Sequence, residues 1–145
     1  MFKQLEDWRE DRNIKAGSYN YRSQVSNVAE ELFELMGYSS IEIDEHVLEK
    51  FMSEYFDGSR EPYHEVKIDA HCDQIVFAVN AIEQLGYNAR ECIDETIKEI
   101  NSRKQDPIQA REWHNNKPEG KWLKDKQQDS ETLYTADYAS CKRGE

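Results

Sequence analysis

The chain carries only three cysteines, Cys72, Cys92 and Cys141, and no two of them stand at C-x-x-C spacing. An odd count without that spacing argues against a disulfide framework and against a zinc site, and makes a reducing cytosol the expected compartment. Long apolar runs are also missing. The longest, Ile75 to Ile82, is interrupted by Asn80 and falls far short of the roughly 20 residues a membrane helix needs. The N-terminal MFKQLEDWRE has no apolar h-region, so a signal peptide is not expected. Positive charge is scarce: 19 Lys and Arg stand against 30 Asp and Glu, a formal net charge of −11. Neither nucleic acid nor an anionic membrane is therefore an expected partner. An anionic ligand would require a local reversal of that field, and a bound divalent metal would supply it. The expectation is a soluble cytoplasmic protein.

Strand-type alternation is nearly absent, and what is present is helical periodicity in a chain of 145 residues, enough for one core. Phe2, Leu5 and Trp8 mark a first helix that ends near Asn13 to Gly17. A second covers residues 20–37, with Val25, Val28, Leu32 and Leu35 on one stripe and Gly37 as its stop. Ser39 or Ser40 caps a third across 41–56, carrying Val47, Leu48, Phe51 and Tyr55. Asp57-Gly58 breaks the chain, and Pro62 suits the first turn of a fourth helix that ends before Gly86. A fifth runs from about Ala89 to Arg103, with Cys92, Ile93, Ile97 and Ile100 inward. The fold expected is an all-α bundle of four to five helices over residues 1–124. Residues 125–145, rich in Lys, Asp, Gln and Ser, read as a polar mobile tail.

Two sets of carboxylates at helical spacing interrupt this pattern: Glu30, Glu31 and Glu34 on the second helix, and Glu65, Asp69 and Asp73 on the fourth. With Asp69 at zero and about 100° per residue, Glu65 lies near −40°, Asp73 near +40° and Asn80 near +20°. Val66 and Phe77 flank that stripe on one side, Cys72 and Val79 on the other, and Val76 lies inside it. The acids thus occupy the middle of the apolar face, the reverse of a solvated helix. Glu30, Glu31 and Glu34 adjoin an apolar stripe, a placement an ordinary amphipathic helix also shows. Like charges at this spacing repel, and carboxylates on an apolar face call for a cation. An oxygen-only set without histidine suits Mg²⁺, which keeps several waters and takes substrate phosphate oxygens. More acids than one ion needs point to two or more metals, or to one carboxylate left as general base. Phosphoanhydride hydrolysis is the chemistry that follows.

Glu30-Glu31-x-x-Glu34 followed by Asp69-Ala70-x-x-Asp73 resembles the all-α NTP pyrophosphohydrolases, the group of MazG-like, phosphoribosyl-ATP pyrophosphohydrolase and dimeric dUTPase enzymes. Asn101-Ser102-Arg103-Lys104 resembles that group's Asn-x-x-Lys segment. Gly120-Lys121-Trp122-Leu123-Lys124 resembles a Gly-Lys-x-x-Lys segment of a phage and bacterial branch, where Trp8, Arg12-Asn13 and Gln24 also have counterparts. The likeness spans roughly residues 5–125 and rests on the order and spacing of individually weak motifs. One departure stands out: the second motif is usually ExxD, and here Ala70 precedes Asp73 by three, with the acid at Asp69 and another at Glu65.

The resemblance implies a homodimeric or homotetrameric enzyme that cleaves a nucleoside triphosphate between its α and β phosphates, releasing pyrophosphate. Mg²⁺, with Mn²⁺ as a substitute, would be held by Glu31, Glu34, Asp69 and Asp73. Glu30 is then a ligand or the base that orients water, and Glu65 is a further ligand or supports one. Lys104, Lys121 and Lys124 would meet the β and γ phosphates as point charges, with Asn101 adding a hydrogen bond. Asn80 would bond a sugar hydroxyl or a ligand carboxylate, or be a satisfied core amide. Trp8, Arg12 and Asn13 are candidates for the base pocket. None of the four histidines shares ligand spacing. A dUTP/dUDP hydrolase of the same architecture is the chemical rival, and a non-catalytic acidic helical module that binds a protein is the rival of another class.

Overall fold

A computed structural model of the chain describes residues 1–102 and 134–144, to which all that follows refers. Lys104, Lys121 and Lys124 lie outside those residues. The fold is all-α, with five helices and, among the described residues, no strand. Helix α1 is Phe2–Asp11, α2 is Tyr21–Leu35, α3 covers residues 40–55, α4 is His64–Gln84 and α5 is Ala89–Ser102. Among the described residues, no helix is long and apolar enough to cross a membrane. The chain divides into two compact units, one drawing on residues 1–15, 62–102 and 134–144, the other on residues 16–61.

In the second of these units α2 packs on α3. The Asn20 side chain caps α2 by accepting from the Ser23 N–H at 2.9 Å. Gly37 ends it at φ 92°, a left-handed conformation that lets the Gly37 and Tyr38 amides return to the Glu34 and Phe33 carbonyls. Ser39, rather than Ser40, opens α3 through a reciprocal capping box with Glu42. The helix widens into a π turn at Ile43–Val47 before resuming at Leu48–Tyr55. The core is Ala29, Ile43, Leu48 and Met52, with Val25, Phe33, Phe51 and Phe56 packed around it. Phe33 meets the edges of Phe51 and Tyr38 at 5.5 and 5.7 Å between ring centroids.

The inward face of α2 differs from the apolar stripe expected. Small residues, Ser26 and Ala29, are the buried positions, and Ala29 packs with Ile43, Leu48 and Met52 of α3. Val28, Leu32 and Leu35 are exposed instead. On α3, Met52 is buried where Tyr55 was expected to pack, and Tyr55 faces solvent.

In the other unit α5 is the central element, contacting α1, α4 and the C-terminal residues. Pro62 lies just ahead of α4 rather than in its first turn, since Tyr63 is the N-cap. Gly86 at φ 89° ends α4, and Asn88 caps α5 with its side chain on the Glu91 N–H. Residues 134–144, part of the stretch whose composition suggested a mobile tail, form a strap bound along α5. The Asn88 N–H donates to the Cys141 carbonyl at 2.8 Å and the Arg143 N–H to the Gly86 carbonyl at 2.9 Å. Tyr87 and Lys142 form an isolated antiparallel bridge. Cys141 is buried against this unit, and the Arg143 guanidinium forks onto both oxygens of Glu83. Composition alone does not register such anchors, because each is a single long-range contact in a polar sequence.

Candidate functional site

The two acid sets lie in separate units, Glu30, Glu31 and Glu34 on α2 and Glu65, Asp69 and Asp73 on α4. Around α2, with Ala29 at zero, the packed residues Val25, Phe33 and Ser26 span about −40° to +60°. Glu30 and Glu34 fall near +100° and +140°, with Glu31 beyond them, on the side away from Val28 and Leu32. Glu30 is half-buried, whereas Glu31 and Glu34 are exposed. Glu30 and Glu31 each take part in an interaction.

Glu65, Asp69, Asp73 and Asn80 all stand on the exposed side of α4. No residue of α4 is fully buried. Its half-buried positions include Lys67 and His71, which lie opposite the acids. The carboxylates consequently share their face with exposed Val66, Val76 and Phe77, as the helical projection of the sequence placed them. Among the described residues, Glu34, Glu65, Asp69 and Asp73 have no cationic or hydrogen-bonding partner. Their oxygen donors suit a hard cation in kind. Among the same residues, however, no three His, Cys, Asp or Glu side chains are gathered as a metal site requires.

Arg12, a candidate for the base pocket, packs against Trp8 and the end of α5 among the described residues. It is buried at the end of α1, lies over the Trp8 ring at 4.7 Å, and donates to the carbonyls of Trp8 and Ile100 at 3.4 and 3.5 Å. Its planar fork ties α1 to the last turn of α5, where a guanidinium also favours the helix's negative end. Asn101 is exposed near the C-terminus of α5, adjoining that tie.

The most strongly perturbed carboxylates are two that the sequence did not single out. Glu95 is buried on α5 and receives hydrogen bonds from Lys98, from the Tyr134 hydroxyl and from the Asp137 N–H. The Lys98 bond, then those from Tyr134 and Asp137, lower its pKa to about 2. Glu83 is likewise lowered to about 2, chiefly by Arg143 and then by the Ala89 N–H. Both groups hold the strap, and their acidity is that of fully paired structural carboxylates. The one sequence signal was Lys98 three residues after Glu95, a helical pair spacing; the Tyr134 and Asp137 contacts span about 40 residues and leave no local trace.

Cys92 and Cys141 are buried side by side where the strap meets α5, and burial raises the Cys92 thiol above its ordinary value. Cys72 alone among the cysteines is exposed. Searches against protein-family models, curated proteins and solved structures found no match to the chain, so the family resemblance rests on its motifs.

Proposed function

We propose that the chain is a Mg²⁺-dependent nucleoside triphosphate pyrophosphohydrolase, cleaving between the α and β phosphates to a monophosphate and pyrophosphate. The observation that carries this reading is the α4 ladder. Glu65, Asp69 and Asp73 stand exposed, unpaired among the described residues, and surrounded by apolar side chains. Three like charges at i, i+4 spacing cost a helix stability, which is tolerable where a cation later neutralises them. The family resemblance adds Glu31 and Glu34 to the proposed ligand set, with Glu30 as ligand or base. When bound, Mg²⁺ would neutralise charge on the phosphoryl group and lower the pKa of a water. The chain's own part is to hold the triphosphate through that ion, with Asn101 and the lysines 104, 121 and 124 as phosphate contacts.

A second reading is favoured by the same apolar surroundings: an acidic helical module that binds a protein and performs no chemistry. A pyrophosphate-release screen over canonical and modified nucleotides, with and without Mg²⁺, separates the two. The hydrolase reading expects Mg²⁺-dependent release that collapses in Glu34→Gln and Asp73→Asn while helicity is kept. Unchanged release in both variants refutes the site assignment, and no release from any nucleotide refutes the hydrolase reading and leaves the binding module.

A further inference from the structure

The joint between α5 and the strap brings together two thiols that are far apart in sequence. Cys92 is a buried residue near the start of α5. Its N–H donates to the Asn88 carbonyl at 3.0 Å, and the Asn88 N–H donates in turn to the Cys141 carbonyl at 2.8 Å. The strap is also held on both sides of Cys141. After it, the Arg143 N–H donates to the Gly86 carbonyl at 2.9 Å. Before it, the Asp137 N–H donates to the Glu95 carboxylate at 3.0 Å, and the Tyr138 and Thr96 hydroxyls meet at 2.9 Å. This register lays the Cys141 thiol against that of Cys92, and the two residues are only 2% and 6% exposed.

A buried free cysteine is ordinarily a small hydrophobe, and either thiol alone would be no more than that. Two thiols in contact add a reaction that no other small pair possesses. In the closed state they resist it. Burial first, and the neighbouring Cys141 thiol second, raise the Cys92 pKa, so little nucleophilic thiolate is present. The strap itself is lightly held, since Cys141 is the one buried residue among positions 134–144. A segment with so little buried surface opens locally without unfolding the rest. Opening removes the cover from both thiols at once.

We propose that Cys92 and Cys141 form a reversible redox latch, in which a hydroperoxide joins them as a disulfide that fastens the strap to α5. When the strap opens, the Cys141 thiolate attacks a peroxide oxygen, the O–O bond breaks and hydroxide leaves. The sulfenic acid so formed returns as the strap recloses. The Cys92 thiol then attacks its sulfur: an S–S bond forms, the S–O bond breaks, and the departing hydroxide takes the thiol proton as water. Each sulfur gives up one electron and the peroxide takes both. With hydrogen peroxide, two thiols yield one disulfide and two waters. Cys72 is exposed and takes no part. The odd cysteine count thus resolves into a pair and a bystander. The inference does not depend on the hydrolase reading.

The test uses the full chain carrying Cys72→Ser, so that oxidation between molecules through that thiol cannot intervene. After hydrogen peroxide and alkylation, peptide mapping without reductant should find Cys92 joined to Cys141 within one chain. Dithiothreitol should restore both thiols. Hydrogen exchange at the Asn88 and Arg143 amides, which bond across the joint, should slow about 10-fold or more in the oxidised chain. Arg143→Ala, which removes the fork on Glu83, should speed disulfide formation several-fold, because opening is the gate. A chain that keeps both thiols, or gains a sulfinic acid in place of the disulfide, overturns the proposal. So does a disulfide that leaves exchange at the two amides unchanged, or an oxidation rate that Arg143→Ala does not raise. Should Arg143→Ala lose its far-ultraviolet helicity, the rate is read on the parent chain in low urea: a rise supports the latch and a flat rate refutes it.

Discussion

Replacing Asp69 by asparagine separates a functional carboxylate ladder from an ornamental one. Asp69 has one like-charged neighbour a turn before it, Glu65, and one a turn after, Asp73, all exposed on α4. Each such pair costs a helix about 0.2–0.5 kcal/mol, so Asp69→Asn removes two penalties and should stabilise the metal-free chain by about 0.4–1 kcal/mol. For a chain of this length that is a rise of roughly 1–4 °C in Tm. Mg²⁺ should invert the order. At a concentration 100 times its dissociation constant, an ion stabilises the native chain by about 2.7 kcal/mol, and the variant should receive only a small part of it. The kcat/KM for nucleotide cleavage should fall about 100-fold or more, equivalent to about 2.7 kcal/mol of lost transition-state stabilisation. Differential scanning calorimetry with and without Mg²⁺, beside a pyrophosphate assay, reads all three. A lower Tm for Asp69→Asn without metal, or equal gains from Mg²⁺ in both proteins, would refute the reasoning. Glu65→Gln in the same assays shows which of the two acids the ion prefers.

Three further outcomes are expected. Ile43→Ala removes a side chain with no solvent exposure from the core around Met52, and should cost about 2–5 kcal/mol in urea unfolding; a loss below about 1 kcal/mol would mean this core is not as described. Glu83 and Glu95 have folded pKa values of about 2, below their ordinary 4.5, so their contribution is complete above about pH 4.5 and is lost as pH falls towards 2. Hydrogen exchange, corrected for its intrinsic pH dependence, should show strap amides opening across that window; an opening at or above pH 6 would contradict the assignment. Arg12→Lys loses the planar fork between α1 and α5 and should lower Tm without raising KM for a triphosphate, whereas a raised KM with unchanged Tm would return Arg12 to the substrate site.

Helix content and the sequence limits of the helices were legible because apolar periodicity, Gly37, Ser39 and Gly86 are local signals, and each is realised in caps or left-handed stops. That Asp69 and Asp73 share a helix face with Val66, Val76 and Phe77 was legible too, from helical projection alone; that this face lies open to solvent was not. What escaped was whatever depends on distant partners. The direction in which α2 packs is decided by what α3 offers to Ala29, Val25 and Phe33, not by the most apolar stripe of α2 itself. Arg12 resembled a ligand-binding cation because its partner, the Ile100 carbonyl, lies 88 residues away. The strap was hidden for the same reason: a charged, amide-rich stretch looks solvated until Glu83 and Glu95 are seen to receive its donors.

The strap also sets an order of events during synthesis. Helices α2 and α3 adjoin in sequence, so the Ile43 core can close while the ribosome is still translating. Helix α5 cannot complete its surroundings so early, since Glu95 waits for Tyr134 and Asp137, and Gly86 waits for Arg143. Until those residues emerge, the nascent chain carries a buried-type carboxylate, Glu95, and one thiol, Cys92, without their cover. A stop codon before Tyr134 would therefore disturb a helix some 40 residues upstream.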